Sequence, residues 1–551
     1  MMNLRRLRPA SPSRAFKVFE NPGKQVGIVN HALLKCLTIE EYQQYVGRFK
    51  RSIISEKSLV EDFMHCNFAE HKVIKDQIYY EALQLCKQAF SPTRKYRPVH
   101  FCDLRYYPWT LSTSVEAPYS TDEELIAKVK KAHSDGLLNN SRMSFHNTYN
   151  HVFVNNRPIV HLIKEGMNKG NQFLYWNTSH ARAHLVNVDD PDKIRMVHGV
   201  PKLTLMVELM LLWPFFNFLR SGTTPIAWGY EIFNGGIYRI TNEVASKAPR
   251  LNTFLALDWT WFDKLTPFTV IDDIHEIWRD FMLYDQGYMP SRDYPKTTTD
   301  PIRIHRLWEF MSKAVKFTPI RLPNGEEWSR RHSTISSGLL QTQVLDSNVN
   351  YVIIITCLKA CGIRVDETTY IKVLGDDSFI GIIDILTREE MDVLLVKIAL
   401  EAKKRFGAIL NTKKSIISNR LNDMTFLGYQ FNNSLPFRED IKLLNQLLYP
   451  ERSWSIAQLA SRAIGIAWSS CGRSKTVYAV CKNVFEYCVK IKEKEPDPRG
   501  ADWIQHLGLS DQIDLSSFPS LGELSARLLD PIKFNFKLNH RFWPEYFEAD
   551  Y

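Results

Sequence analysis

The sequence predicts an α+β fold, a mixed antiparallel sheet backed by helices, and three observations carry that prediction. Thr253 to Asp258 (TFLALD) is a short, nearly continuous apolar run, which fits a buried strand. Tyr370 to Leu374 and Ser378 to Ile383 are two further apolar runs. Gly375-Asp376-Asp377 joins them with the composition of a tight hairpin. Helical patterns fill the gaps. Ser336 and Ser337 are candidate caps for a helix through LLQTQVLDSNVNYVIIITCLKA, where Leu345, Val349, Val352 and Ile353 mark an apolar face. Thr387 opens a second helix, with Glu390 completing a capping box and Gly407 placed to end it.

The flanks read less sharply. Residues from Phe145 to Arg239 mix short strands with one long apolar stretch, Leu203 to Leu219. That stretch is short for a membrane span and contains Glu208 and Pro214. A buried helix ending or kinking near Pro214 is expected, and no membrane segment. His180 and His184 could share a helical face, but no third or fourth ligand at matching spacing supports zinc. Pro290 to Pro301 reads as loop, and Trp454 to Lys494 as mostly helical. The N-terminal MMNLRRLRPASPSR is basic without an apolar core, so it reads as an arm that touches RNA or protein, or as a solvated tail.

With 551 residues, roughly three or four subdomains are expected. Hydrophobic residues at 44% and charged residues at 24% exclude disordered and fibrous classes. A net charge of +10 suits an anionic partner but is modest for this length. The nine cysteines form no Cys-x-x-Cys pair and read as reduced thiols.

The chemistry concentrates in acids. Asp376 and Asp377 sit side by side at a hairpin tip between apolar strands, a costly arrangement unless water or a hard cation such as Mg²⁺ neutralises it. Asp258 ends its strand and Asp263 follows five residues later. The chain must bend between them, placing Asp263 at the start of a new turn. Asp258, Asp376 and Asp377 together could hold two metal ions for an in-line displacement. Taken singly, these pieces also fit an ordinary acidic turn and a helix N-terminal acid.

Their order is what makes the pattern specific. D-x-x-x-x-D (Asp258 to Asp263), S-G-x-x-x-T (Ser337-Gly338 to Thr342) and G-D-D (Gly375 to Asp377) follow one another within roughly 120 residues. This series resembles the viral RNA-dependent RNA polymerases, and IRMVHGVPKL, SGLLQTQVLDSNVN and FLGYQF resemble those of the partitiviruses, with double-stranded RNA genomes. The resemblance is strong over roughly residues 180 to 435. It implies a right-hand fold: N-terminal region and fingers at 1–250, palm at 251–284 and 333–440, a fingers insertion at 285–332, and a helical thumb at 441–551.

The resemblance also implies roles. Asp258, Asp376 and Asp377 hold Mg²⁺, with Mn²⁺ as a substitute. Asp263, oriented by Ser337 and Thr342, reads the ribose 2′-hydroxyl, and Gly338 lets its loop shift. Lys193, Arg195 and Lys202 grip the triphosphate. Lys414, with Lys413 as the neighbouring alternative, protonates pyrophosphate. Asp346 stands where many single-stranded RNA virus polymerases have Asn, which leaves its role and that of Asn350 open. Phe426-Leu427-Gly428-Tyr429 resembles the turn that braces the nascent strand. Expected partners are RNA template and product, ribonucleoside triphosphates and a viral capsid protein, inside the virion and in host cytoplasm. Two rivals remain: a reverse transcriptase sharing the palm, and an inactive RNA-binding virion protein keeping the fold.

Overall fold

The computed structural model describes residues 1–10, 23–451, 455–501, 503–504 and 513–530. At its centre is a four-stranded antiparallel sheet in the order Tyr370–Leu374, Asp377–Ile382, Thr253–Ala256, Ile416–Ser418. Both faces are covered. Leu255, Val373, Ile380 and Ile382 enter one apolar core, which they share with the helices Gln77–Phe90, Lys202–Leu219, Phe268–Arg279 and Thr342–Ala360. Phe254, Ala256, Tyr370 and Phe379 enter a second core, built with the C-terminal helices. Two-sided burial explains why these strands are apolar without alternation.

A second sheet has five strands, in the order Leu4–Arg8, Glu327–Arg330, Ile320–Arg321, Asn177–Ala183, Ile194–Gly199. Only one face is apolar. Leu4, Ala183, Ile194, Met196 and Ile320 turn inward to a small core with Leu59 and Phe63, while Arg195 alternates outward. The segment 285–332 therefore shares a sheet with the N-terminal region.

Several elements differ from the sequence expectation, each for a tertiary reason. The N-terminus is no loose arm through Arg8. It is an edge strand locked by Asn3, whose Oδ1 accepts from the backbone N–H groups of Arg331, His332 and Ser333. Residues 11–22 lie outside the described residues. His180 and His184 do not share a helical face. His180 lies in a strand opposite Val197 and pairs with the buried Glu116 at 3.2 Å, and His184 follows that strand. The apolar helix runs unbroken over Lys202–Leu219 and is almost entirely buried. Pro214 cannot donate to the Met210 carbonyl four residues back, and the Val99 N–H takes that carbonyl at 2.7 Å.

Ser336 and Ser337 do not cap the next helix, which begins at Thr342. Their hydroxyls are engaged elsewhere, Ser336 with Asn177 and Arg330, Ser337 with His198. The Thr387–Glu390 capping box and the left-handed Gly407 terminus are present as expected. In the C-terminal region, helices span Ile456–Ser469 and Lys475–Glu486, while Trp454 lies outside the described residues.

Parts of the first 250 residues pack with later regions of the chain. Helix Gly23–Cys36 joins the second core beside the C-terminal helices, where the Asn483 side chain reaches Cys36. Pro225 to Ala227 extend the central sheet by backbone bonds to Val373.

Candidate active site

The acids are placed by strand register. Leu255 pairs with Ile380 and Phe254 with Gly381. The same register continued by three residues sets Asp258 level with Asp377, and Ser378 Oγ meets the Leu257 carbonyl at 3.5 Å between them. Asp376 occupies the two-residue turn between Leu374 and Asp377, next to Gly375, whose φ of +64° suits a residue without Cβ. Acids separated by more than a hundred residues in sequence thus meet at one end of the two central strands.

The electrostatics agree with that placement. Asp377 is pushed up to about 6, first by the protein around it and then by the charges of Asp376 and Asp258. Asp376 is raised for the same first reason, with Arg195 opposing and Asp263 and Asp258 adding to the rise. Both carboxylates still reach solvent. Among the described residues, no three His, Cys, Asp or Glu side chains already close on an ion by themselves. The donor set is nevertheless all oxygen, excess in negative charge and open to water. It fits Mg²⁺, which keeps waters and substrate phosphates in its shell.

Asp258 is held from behind by a loop. Its N–H donates to Ser415 Oγ at 3.0 Å and its carbonyl accepts from the Asn411 N–H at 2.8 Å. Lys413 and Lys414 lie in that same loop with exposed side chains. In the sequence the lysines of this stretch stand out, whereas Asn411 and Ser415, which clasp the Asp258 backbone, carry no local signal of that role.

Beyond Asp258 the chain turns at Trp261, which has a left-handed φ of +53°, into a short helix, Phe262–Leu265. Asp263 leaves on this turn and meets Arg195 at 3.1 Å. Asp263 is the main reason the Arg195 guanidinium holds its proton more firmly than usual. Asp62 anchors both partners' elements: its Oδ2 accepts from the Met196 N–H at 2.7 Å and its Oδ1 binds Lys264.

The other candidate cations do not behave alike. Lys193 is exposed and anchored through its N–H to Ser52 Oγ. Lys202 is buried: its ammonium donates to Thr113 Oγ1 at 3.3 Å, stands 5.2 Å over the Phe145 ring, and falls to about 8 through burial. Glu116 opposes that fall. The structure therefore brings Arg195, and not Lys202, against the acids.

Ser337 and Thr342 do not touch Asp263 here. Ser337 Oγ accepts from the His198 N–H at 3.1 Å, and Thr342 Oγ1 donates to the Ser336 carbonyl at 2.7 Å. Their loop reaches Asp263 through backbone instead, Ile335 N–H donating to its carbonyl at 2.8 Å. Gly338 is required by close approach, because a Cβ there would sit 1.9 Å from the His198 carbonyl oxygen.

Asp346 faces this cluster from the helix below. It is 8% exposed, its Oδ1 has no partner, and burial with the charges of Asp263 and Asp376 raises it well above the usual carboxylate range, Arg195 opposing. Asn350 is fully buried, and its amide is spent on the hairpin backbone and on Trp259, so it cannot reach a ribose.

The chain is 28% identical to the RNA-directed RNA polymerase of White clover cryptic virus 1, an alignment covering 94% of this chain and 92% of that protein. It is also 28% identical to the RNA-directed RNA polymerase of Atkinsonella hypoxylon virus, over 89% and 80% of the two chains. The solved structure of a Sicinivirus 3Dpol RNA dependent RNA polymerase shares the fold at a TM-score of 0.60 and 13% identity, covering 92% of this chain and all of that one. The family model for viral RNA-dependent RNA polymerase matches residues 79–488, most of the chain, and the protein belongs to that family.

Proposed function

We propose that template-directed RNA synthesis by this chain is nucleotidyl transfer at Asp258, Asp376 and Asp377. The observation that carries the reading is the register that sets Asp258 level with Asp377 and beside Asp376. The 3′-hydroxyl of the growing RNA attacks the α-phosphate of a ribonucleotide, and pyrophosphate leaves. Bound divalent ions, Mg²⁺ or Mn²⁺, would supply activation of the hydroxyl and charge neutralisation at the leaving oxygen. Asp258, Asp376 and Asp377 would hold those ions, and the loop at Asn411 to Ser415 keeps Asp258 in place.

Arg195 and Asp263 are the substrate's entry contacts. In the free protein they satisfy each other. An arriving triphosphate takes Arg195, and the freed Asp263 accepts from the ribose 2′-hydroxyl. Ser337, Gly338 and Thr342 shape the loop over that pocket. Lys193 lies exposed on the same strand border and adds positive charge to the path, whereas Lys202 supports the fold. Lys414 is the proposed proton donor to pyrophosphate, Lys413 its neighbour in the same loop. The palm comprises 251–284 and 333–440, with residues 225–227 added at its edge. We further propose transcription and replication of a double-stranded RNA genome, a capsid protein as partner, no membrane attachment, and work inside the virion and in host cytoplasm.

The test is incorporation of labelled nucleotides by purified protein on an RNA template, with and without Mg²⁺. Template-dependent ribonucleotide incorporation that needs the ion is expected. Preference for deoxyribonucleotides would turn the reading toward a reverse transcriptase, and RNA binding without any extension toward an inactive virion protein. Undiminished synthesis by Asp376→Ala would overturn the site.

A further inference from the structure

One buried amide joins the two segments that carry the acids. Asn350 lies on the helix Thr342–Ala360 and is wholly inaccessible to solvent. Its Nδ2 donates to the carbonyls of Gly375 and Asp376, each at 3.0 Å, with the Asp377 carbonyl at 3.5 Å. Its Oδ1 accepts from the Trp259 indole N–H at 2.9 Å, one residue beyond Asp258. The partners fix which end of the amide points where, because an indole N–H only donates and carbonyls only accept. One turn earlier, Ser347 Oγ accepts from the Gly375 N–H at 2.8 Å.

The sheet alone leaves a gap that this contact fills. Backbone pairing between the Asp258 strand and the hairpin runs from Thr253–Ile382 to Leu255–Ile380, short of both Asp258 and the tip. Beyond the last pair the segments lead to Trp259–Thr260 on one side and to the turn on the other. Past the last ladder pair, the Ser378–Leu257 contact at 3.5 Å is long. Asn350 bridges the same two segments with three hydrogen bonds of 2.9 to 3.0 Å.

We propose that Asn350 is a positioning residue: with Trp259 as its partner, it sets the spacing between Asp258 and the Asp376–Asp377 tip, and so the affinity of the site for divalent cation. The inference rests on the carboxylate site proposed above. Groups that orient metal-binding side chains from behind act on metal affinity as strongly as on activity. The residue is thereby separated from Asp263, the proposed ribose contact, and from Ser337 and Thr342 in the loop beside it.

The test uses the full chain with Asn350→Leu, which keeps the branched shape and deletes both hydrogen-bonding ends, and Trp259→Phe, which removes the indole donor together with part of a buried ring. Mn²⁺ binding to the nucleotide-free protein is followed by electron paramagnetic resonance, beside kcat and KM for ribonucleotide. Asn350→Leu is expected to weaken Mn²⁺ binding and lower kcat by about tenfold or more, with KM changed by less than about twofold. Trp259→Phe should move both in the same direction by about threefold. In the Asn350→Leu background it should add nothing, because its bond runs through Asn350.

Unchanged Mn²⁺ affinity in either folded variant, or effects that simply add, would overturn the proposal and leave Asn350 a packing residue. If Asn350→Leu does not fold, Trp259→Phe decides alone. Asp376→Ala is the separate control. Its full retention of Mn²⁺ binding and synthesis would sink the carboxylate site itself, an outcome that no result with Asn350 can mimic.

Discussion

The central sheet and the five-stranded sheet each present charge to the same place, but they hold it differently. The acids stand on strands buried on both faces, with backbone clasps at Asp258 and side-chain braces at the hairpin tip. Arg195 stands on a strand buried on one face only, its side chain about half exposed and held by a single ion pair with Asp263. The difference matches the two tasks proposed for them. Acids that converge on small ions must keep their spacing to fractions of an ångström. A cation that receives a long flexible triphosphate gains from being able to let go of one partner and take another.

The sharpest way to break this comparison is to remove a rigid acid. Asp376→Ala or Asp258→Ala should lower nucleotide incorporation by about a thousandfold or more, because several kcal/mol of charge stabilisation go with the ions. RNA affinity, read by filter binding, should stay within about twofold.

The seam between the two sheets comes next. Gly338→Ala forces a Cβ against the His198 carbonyl. A displacement near 1 Å at this loop should cost on the order of a hundredfold in kcat/KM. Circular dichroism melting distinguishes that from unfolding.

Glu208 lies beneath the same loop. It accepts from the Leu340 N–H and the Gln341 side chain, is fully buried, and is pushed up to about 7 by that burial. A carboxyl raised in the folded state favours folding only while protonated. Its stabilisation is complete below the unfolded value near 4.5 and is lost as pH rises toward 7. Glu208→Gln should therefore gain on the native chain between pH 5 and pH 8, by up to roughly 3 kcal/mol less the hydrogen bond it disturbs. Denaturant unfolding at both pH values checks the sign. No relative gain at high pH would mean that Glu208 stays ionised.

The smallest effect should come from the exposed cation. Arg195→Gln is expected to raise KM for ribonucleotide about tenfold, while Lys202→Met should shift the melting temperature and leave KM alone. Equal effects of both on KM would erase the distinction drawn between them.

The two sheets also differed in how far they could be read in advance. The central strands, the hairpin and the three acids were visible because long apolar runs mark two-sided burial, and because the acids interrupt them at ordered intervals. The polar residues around them were harder. Ser336 and Ser337 look like helix caps in isolation, yet partners from Asn177, His198 and Arg330 claim them. Lys202 looks like a triphosphate ligand until Thr113 and Phe145 enclose it. Histidines four apart suit a helix or a strand equally, and only pairing with Ile194–Gly199 decides. Asn350 and Asp346, left open by the sequence, separate at once by their surroundings, one with every hydrogen-bonding end used and the other with an oxygen unpaired. What local sequence withholds is the identity of distant partners.

The helix Lys202–Leu219 has a consequence for how the chain is made. It is apolar on all sides, and part of what covers it, including the helix Pro301–Phe317 and the Leu340–Gln341 turn that binds Glu208, is translated long afterwards. While the ribosome is still upstream of those residues, the nascent chain exposes a greasy cylinder with no completed socket. Truncations ending before residue 300 should therefore precipitate or be captured by chaperones, so the first 300 residues are not expected to mature ahead of the hairpin that carries Asp376 and Asp377.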